Sequence, residues 1–336
     1  MFILKNENAQ FYECGYSCDN AIFLNLEENF FITDARYAIE ANEKIKNAKV
    51  IQSNDLIKST KEILKEHEIK EICFDPYDFC VADFDNLKKD LNINFVKKPN
   101  FSQISRIVKK EDEILKLKKS SKIGEICFDE FANFLKKDGV GKTEIELNFI
   151  VAEIFRKNFG DLSFNPIFAM NENAAKAHAL PTEKKLKKGD LVLLDAGGKF
   201  QRYCSDRTRT AFFDENFNFS KKQNFKNNFI NEIYNIVLQA QEEAIKAIKP
   251  GVKACQIDKI ARDFISKKGY EEFFFHSTGH GVGVDIHELP RISKKDETIL
   301  KEGMVFSIEP GIYLQDKFGV RIEDVVLVTK NGCEIL

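Results

Sequence analysis

Four acidic residues occupy mirrored positions in two segments that are predicted to form β-hairpins. In the first, two apolar runs flank a glycine-bearing turn within residues 191–206. A turn centred between Phe200 and Gln201 places Asp195 and Asp206 at equal distances from that centre. Directly opposed residues of antiparallel strands share a face, with Cβ atoms about 4.5–5.5 Å apart. Because two like charges repel at that distance, we expect a metal cation between them.

The second segment, residues 304–328, repeats the arrangement with an apolar strand, a glycine-bearing loop and another apolar strand. Glu309 and Glu323 are mirrored about Asp316. One such pair can arise by chance, but two pairs predict that four carboxylates converge on one pocket. This repetition also indicates a catalytic domain with an approximate two-fold arrangement.

Histidines are the second group of candidate ligands. Four of the five lie in short segments rich in Gly, Pro or Thr near the acidic hairpins, namely His178, His276, His280 and His287. Glycines 279, 281 and 283 leave room for the backbone to approach a ligand closely. Oxygen ligands with one or a few nitrogens favour Mn²⁺, with Co²⁺, Fe²⁺ and Zn²⁺ as alternatives. Two ions balance four carboxylates better than one, and such ions can activate a water molecule between them.

The composition, with 43% hydrophobic and 31% charged residues, is typical of a globular protein. A net charge of −2 over 336 residues argues against nucleic-acid binding, which requires a basic surface. No apolar run approaches the roughly 18 residues that a membrane span needs. The N-terminus lacks the pattern of a signal peptide, so we expect a cytoplasmic protein whose eight cysteines are free thiols.

Two domains are expected to position these residues. Residues 1–100 alternate between strand and helix patterns, which indicates a small α/β domain. The segment 97–100 contains Pro99 and has the composition of a boundary. Residues 101–336 then alternate helices with the β segments that carry the candidate ligands, which gives an overall α/β (α+β) class.

Several motifs together resemble the pita-bread metallopeptidases, the family that includes aminopeptidase P and prolidase. The matching segments are Leu194-Asp-Ala-Gly, Tyr203-Cys-Ser-Asp-Arg-Thr-Arg-Thr210, Gly279-His-Gly-Val-Gly283, Asp285-Ile-His-Glu288, Ile308-Glu-Pro-Gly-Ile-Tyr313 and Val320-Arg-Ile-Glu-Asp324. Tyr12-Glu-Cys-Gly-Tyr16 and Thr33-Asp-Ala-Arg-Tyr37 resemble a creatinase-type N-terminal domain. The resemblance implies a creatinase-like domain at 1–100, a pita-bread catalytic domain at 101–336, and a homodimer.

The resemblance also implies two divalent metal ions and hydrolysis of Xaa–Pro bonds in short peptides whose second residue is proline. It assigns five metal ligands: Asp206 and Glu323 as bridges, Asp195 on one ion, and His280 with Glu309 on the other.

Further roles are implied for neighbouring side chains. Glu309 would also transfer a proton, and His287 would stabilise the oxyanion. His178 would lie near the scissile nitrogen, and His276 would shape the proline pocket. Arg321 would pair with the carboxylates or the substrate, and Thr208 would support a metal ligand.

Some alternatives remain open at this stage. The residues do not separate a dipeptidase from an aminopeptidase. Segment 168–178 departs from the family pattern, with Lys176-Ala177 where Leu-Pro is common, which leaves the pocket shape open. A methionine aminopeptidase is disfavoured because Arg321-Ile-Glu-Asp324 replaces its usual Gln-Phe-Glu-His. A metal-free binding scaffold and a creatinase-like C–N hydrolase share the fold, but such relatives lack the five ligands.

Overall fold

The computed structural model describes all 336 residues and divides into two compact units, Met1–Arg106 and Ile107–Leu336. The elements of the first unit are β1 (Phe2–Leu4), α1 (Glu7–Cys14), β2 (Ala21–Asn25), β3 (Asn29–Thr33), α2 (Ala38–Lys44), β4 (Lys49–Gln52), α3 (Leu56–Glu66), β5 (Glu71–Phe74), α4 (Val81–Lys88), β6 (Asn94–Lys97) and α5 (Phe101–Ser105).

The first unit is built on a six-stranded mixed sheet in the order β4-β3-β2-β1-β5-β6. The central strands are antiparallel, and the outer strands pair in parallel. Alternating side chains of β2 fill separate clusters, since Ile22 packs in one core and Phe23 in another. Helix α5 belongs to this unit, which ends at Arg106 rather than at residue 100. Its Phe101 ring packs against Phe2 with ring centroids 5.5 Å apart.

The second unit carries every predicted site residue. Its elements are α6 (Glu111–Phe134), α7 (Glu144–Phe159), β7 (Ile167–Met170), β8 (Leu191–Ala196), β9 (Lys199–Phe200), β10 (Tyr203–Cys204), β11 (Arg207–Phe212), α8 (Asn228–Lys246), α9 (Ala254–Lys267), β12 (Gly279–Gly281), β13 (Glu288–Ile292), β14 (Val305–Ile308), β15 (Gly311–Leu314), β16 (Phe318–Arg321), β17 (Asp324–Val328) and β18 (Cys333–Ile335).

Two antiparallel sheets of the second unit each pack against a helix pair. The sheet β11-β8-β7 shares a core with α6 and α7. This core includes Phe131, Phe155 and Leu194. The sheet β13-β12-β14-β17-β18 shares a second core with α8 and α9, which includes Val237 and Phe306. The mixed α/β class is therefore confirmed, and each acidic hairpin lies in its own half.

The register of the second acidic hairpin agrees with its prediction. Within β15 and β16, Gly311 pairs with Arg321, and β14 and β17 continue the same register by pairing Ile308 with Asp324. Both pairs are centred on Asp316. Glu309 and Glu323 therefore mirror each other at the junctions between these strands.

The predicted register of the first hairpin was wrong by two residues. Gln201 and Arg202 both have positive φ, so the tight turn lies between them rather than between Phe200 and Gln201. Asp195 consequently pairs with Thr208 and not with Asp206. A shift of two residues preserves the face of a strand, so the two aspartates remain diagonal neighbours on one side.

Helix α8 begins later than its sequence pattern predicts. The helix predicted from about Lys221 begins at Asn228, because the Asn227 side chain caps it by accepting from Phe229 and Ile230. No helix combines the length and apolar character that a membrane crossing would require. All eight cysteines are free thiols, as predicted.

Candidate metal centre

Strand ends bring the predicted ligands together. Asp195 lies in β8, the central strand of its sheet, and Asp206 immediately precedes β11. In the other sheet, Glu309 follows β14, Glu323 precedes β17, and His280 lies in the short strand β12.

The glycines beside His280 allow neighbouring segments of the protein to pack closely. A Cβ atom on Gly279 would lie 1.8 Å from the Ser307 carbonyl oxygen. A Cβ atom on Gly283 would lie 2.4 Å from a carboxylate oxygen of Glu288. Close packing within the protein therefore requires glycine at these positions, and the approach of their backbone to a ligand stays a prediction.

Three of the predicted ligands form a compact group. One donor atom from each of Asp206, His280 and Glu323 lies within 4.8 Å of the other two. The His280 Nε2 atom lies 3.5 Å from Asp206 Oδ2 and 3.4 Å from Glu309 Oε1. These distances connect four of the five predicted metal ligands, and the charge of the fifth, Asp195, acts on Asp206 in the same pocket.

The protonation of His280 creates a site for a cation. Its Nδ1 atom lies 3.1 Å from the Gly281 carbonyl oxygen, which can only accept, so Nδ1 carries the ring proton. Burial lowers the pKa of His280, which keeps the ring neutral near pH 7. Its Nε2 lone pair therefore faces the carboxyl groups of Asp206 and Glu309.

Two carboxylate oxygens in the pocket lack any hydrogen-bond partner. These buried atoms are Asp195 Oδ1 and Glu323 Oε1. A buried unpaired charge is costly, and buried carboxylates are usually hydrogen-bonded, ion-paired or bound to metal. The orphan oxygens and the His280 lone pair fit divalent cations, because all of them are acceptors.

Burial and mutual repulsion destabilise the ionised carboxylates. The pKa of Asp206 is raised well above its usual value, first by burial and then by the charges of Asp195 and Glu309. Burial also raises the pKa of Glu323 strongly, with repulsion from Asp206 as the next cause. The pKa of Glu309 is raised mainly by burial. Bound cations would reverse this effect and keep these ligands deprotonated.

Arg321 supplies the buried positive charge beside this pocket. Its Nη2 atom donates to Asp195 Oδ2 at 2.6 Å, and its Nε atom donates to Thr208 Oγ1 at 3.0 Å. Thr208 in turn donates to Glu323 Oε2 at 2.7 Å. The structure therefore places Arg321 against the carboxylates, and Thr208 orients a predicted bridging ligand.

The remaining histidines lie around the same pocket. His287 packs edge-on against His280 with ring centroids 4.3 Å apart, and desolvation lowers the pKa of His287. His276 lies further along, where its Nε2 atom is 2.9 Å from the Tyr313 hydroxyl oxygen. His178 is exposed in the turn segment between β7 and β8, and its charge contributes to the pKa of His287.

Tyr313 and Ser307 are polar contacts of the site that sequence reasoning missed. Tyr313 is buried, and its hydroxyl oxygen accepts from Arg321 Nη1 at 2.8 Å while contacting His276. Ser307 donates to Glu309 Oε1 at 3.3 Å. Alternation along the strand gives a usable signal, since Ser307 and Glu309 are two residues apart and share a face. A search for charged residues overlooks both side chains because they are neutral.

Comparison with known proteins identifies the family of this chain. The family model of metallopeptidase family M24 matches residues 115–330, which is more than half of the chain. The chain belongs to metallopeptidase family M24. The model of the creatinase/prolidase N-terminal domain matches residues 1–114 of this M24 family member.

The relatives of this M24 family member include proteins named as peptidases and Xaa-Pro dipeptidases. It is 43% identical over 231 residues to a Staphylococcus epidermidis protein described as an uncharacterized peptidase, and that match covers 69% of this chain and 62% of the relative. It is 40% identical over 263 residues to a Pyrococcus horikoshii Xaa-Pro dipeptidase, covering 78% and 70% of the two chains. The solved Xaa-Pro dipeptidase of Bacillus anthracis superposes with a TM-score of 0.90 at 31% identity, covering 99% and 91%.

Proposed function

We propose that this M24 family member is a dinuclear metal-dependent peptidase that hydrolyses Xaa–Pro bonds in short peptides. The observation that carries the proposal is the group of ligand atoms from Asp206, His280 and Glu323, which lie within 4.8 Å of one another beside carboxylate oxygens that have no hydrogen-bond partner. The names of the Pyrococcus and Bacillus relatives support proline-containing dipeptides as the substrate class.

The residues proposed to hold the ions are Asp195, Asp206, His280, Glu309 and Glu323. Asp206 and Glu323 would be shared between two ions, Asp195 would serve one, and His280 with Glu309 would serve the other. Mn²⁺ is the favoured ion, since oxygen donors predominate in this set, and Co²⁺, Fe²⁺ and Zn²⁺ are alternatives. Two divalent ions bound there would supply an activated water molecule and polarise the scissile carbonyl group.

The chain's own side chains would then move protons and stabilise charge. Glu309 would accept a proton from the attacking water, as a carboxylate held beside that water can. His287 would donate to the oxyanion that develops on the carbonyl oxygen. His178 would serve the proline nitrogen, which has no N–H and must gain a proton to leave. His276 would shape the proline pocket.

A peptide panel tests this proposal directly. The purified chain with added Mn²⁺ is incubated with Ala-Pro, Ala-Pro-Ala and Met-Ala-Ala, and product formation is measured. We expect cleavage of Ala-Pro. Cleavage of Ala-Pro alone identifies a dipeptidase, and cleavage of Ala-Pro-Ala as well identifies an aminopeptidase. Preferential cleavage of Met-Ala-Ala would contradict the proline specificity.

Metal content separates the peptidase from its non-enzymatic alternative. Elemental analysis after dialysis against Mn²⁺ or Co²⁺ should find close to two ions per chain. A chain that retains neither ion would instead favour a metal-free scaffold or a creatinase-like hydrolase. The homodimer and the cytoplasmic location stay predictions that rest on resemblance and sequence.

Replacing His178 by alanine should lower kcat by about 100-fold, which is within the usual contribution of a general acid or base. Metal content should stay unchanged, because His178 is not among the proposed ligands. Steady-state kinetics on Ala-Pro and elemental analysis of the same sample measure both quantities. If metal occupancy fell in parallel with activity, His178 would be a ligand and this role would be wrong.

A further inference from the structure

The first turn of α7 contains a fully buried carboxylate that none of the proposed roles uses. Glu144 has no solvent exposure. Its Oε1 atom accepts from the Met170 backbone N–H at 2.6 Å. Its Oε2 atom accepts from Asn173 Nδ2 at 2.8 Å, and from the backbone N–H and hydroxyl of Thr182 at 2.8 and 2.6 Å. Met170 and Thr182 flank the segment 171–181, which carries His178, and Asn173 lies within it.

Glu144 does not cap its own helix. The capping box of α7 is formed by Thr143 and Glu146, which satisfy the backbone groups at the helix start. All four partners of Glu144 are donors, so the side chain functions as an acceptor-only carboxylate. Its place in the first turn favours the negative charge through the helix dipole. The Glu144 carboxylate therefore accepts its hydrogen bonds from residues 170–182 and not from the start of its own helix.

The segment has a second anchor at the metal pocket. Arg321 Nη1 donates to the Ala177 carbonyl oxygen at 3.1 Å, immediately before His178. The same guanidinium group binds Asp195 through Nη2. The backbone at His178 is thus connected to the carboxylate pocket on one side and to Glu144 on the other, while the imidazole itself is exposed.

We propose that Glu144 is a positioning residue for His178 in peptide hydrolysis. This inference rests on the proposed function, because it assumes that His178 acts at the scissile nitrogen. A catalytic group displaced by about 1 Å can lose roughly 100-fold in rate. Glu144 fixes both ends of the segment at once, since Asn173 and Thr182 bind the same oxygen atom.

Glu144→Gln is the main test variant because it keeps the side-chain volume and removes the charge. Both oxygen atoms of Glu144 accept from donors, so the NH₂ group of glutamine faces a donor at either position and at least one hydrogen bond is lost. We expect kcat on Ala-Pro with Mn²⁺ to fall at least 10-fold, with KM and metal content within about two-fold of the parent chain. Thr182→Val removes only the hydrogen bond from the Thr182 hydroxyl to Glu144, so it should lower kcat less than Glu144→Gln does. Thr182→Ser keeps this hydroxyl and should retain the kcat of the parent chain.

A double-mutant cycle with His178→Ala distinguishes positioning from a general structural role. If Glu144 acts through His178, Glu144→Gln should change kcat by less than two-fold in the His178→Ala background. An equal loss in both backgrounds would overturn the inference. Glu172→Gln is the matched control, because Glu172 is an exposed carboxylate of the same segment paired with Lys184, and it should leave activity unchanged.

Hydrogen–deuterium exchange gives a readout that does not depend on activity. In Glu144→Gln, exchange should accelerate in peptides covering 171–182 and stay unchanged in α8 and α9. Unchanged exchange in 171–182 would overturn the inference even if activity fell. If the parent chain cleaves no Xaa–Pro peptide, the proposed function fails, and the exchange result still decides whether Glu144 orders the segment. Thr182→Val supplies the same exchange test should Glu144→Gln not fold.

Discussion

Glu323→Gln should lower kcat/KM on Ala-Pro by at least about 1,000-fold, in the range that loss of a catalytic group costs. Glu323 is 1% exposed, its Oε2 atom accepts from Thr208, and its Oε1 atom has no partner. Glutamine keeps the shape but cannot bridge two cations as a carboxylate does. Asp206→Asn removes the other proposed bridging ligand and should have the same effect.

The fold should survive both substitutions. Because burial and repulsion raise the pKa values of Asp206 and Glu323, each ionised carboxylate costs the metal-free protein free energy. An amide removes that charge, so the melting temperature of the metal-free variant should equal or exceed that of the parent chain. Loss of activity with retained stability therefore distinguishes a ligand from a structural residue.

The matched control is an acidic residue on the surface. Glu215→Gln changes an exposed carboxylate that pairs with Lys188, and an exposed pair contributes little to stability. This variant should keep full activity. Near-normal turnover by Glu323→Gln or Asp206→Asn, measured in parallel with Glu215→Gln, would contradict the proposed dinuclear centre.

The sequence predicted the second acidic hairpin better than the first. The loop around Asp316 lies at the symmetric centre of two apolar runs, and the pairing of Gly311 with Arg321 follows from that centre. In the first hairpin, the turn falls on Gln201 and Arg202, although glycine and asparagine usually supply two consecutive positive φ angles. A turn without its usual residues gives no local signal, so the predicted register was displaced.

Sequence patterns did not predict the hydrogen-bond partners that lie far apart along the chain. Arg321 was expected to pair with either the carboxylates or the substrate, and only the folded chain brings its guanidinium to Asp195, 126 positions away. Glu144 is similar, since its place in a helix start indicates capping, whereas its partners lie 26 to 38 positions further along. Such contacts depend on how helices and strands pack, which residue spacing does not encode.

Removal of metal should make the stability of this protein fall as pH rises above about 6.5. In the metal-free state, Asp206 and Glu323 have raised pKa values, so the folded chain binds more protons than the unfolded chain up to the folded pKa. The free energy of unfolding then decreases with pH, because its slope follows the protons bound by the unfolded state minus those bound by the folded state. Thermal or urea unfolding of chelator-treated protein between pH 6.5 and 8 measures this slope.

The buried histidines set the lower limit of that window. Burial lowers the pKa values of His276 and His280, so these rings favour the opposite slope between their folded pKa and about 6.5, the ordinary histidine value. Above that pH the histidine contribution fades within about one unit, and the raised carboxylates increasingly determine the slope. Glu323→Gln removes one raised group and should flatten the slope, which makes it the matched control.

Added Mn²⁺ should reverse the pH dependence. Metal binding requires deprotonated carboxylates and a neutral imidazole, so the ion binds more tightly as pH rises. At 100 times its dissociation constant, a bound ion adds about 2.7 kcal/mol to the free energy of unfolding. Stability in Mn²⁺ should therefore stay level or rise from pH 6.5 to 8, where the metal-free protein loses stability. Parallel curves with and without Mn²⁺ would mean that the ion does not bind at these carboxylates, because binding there must displace their protons.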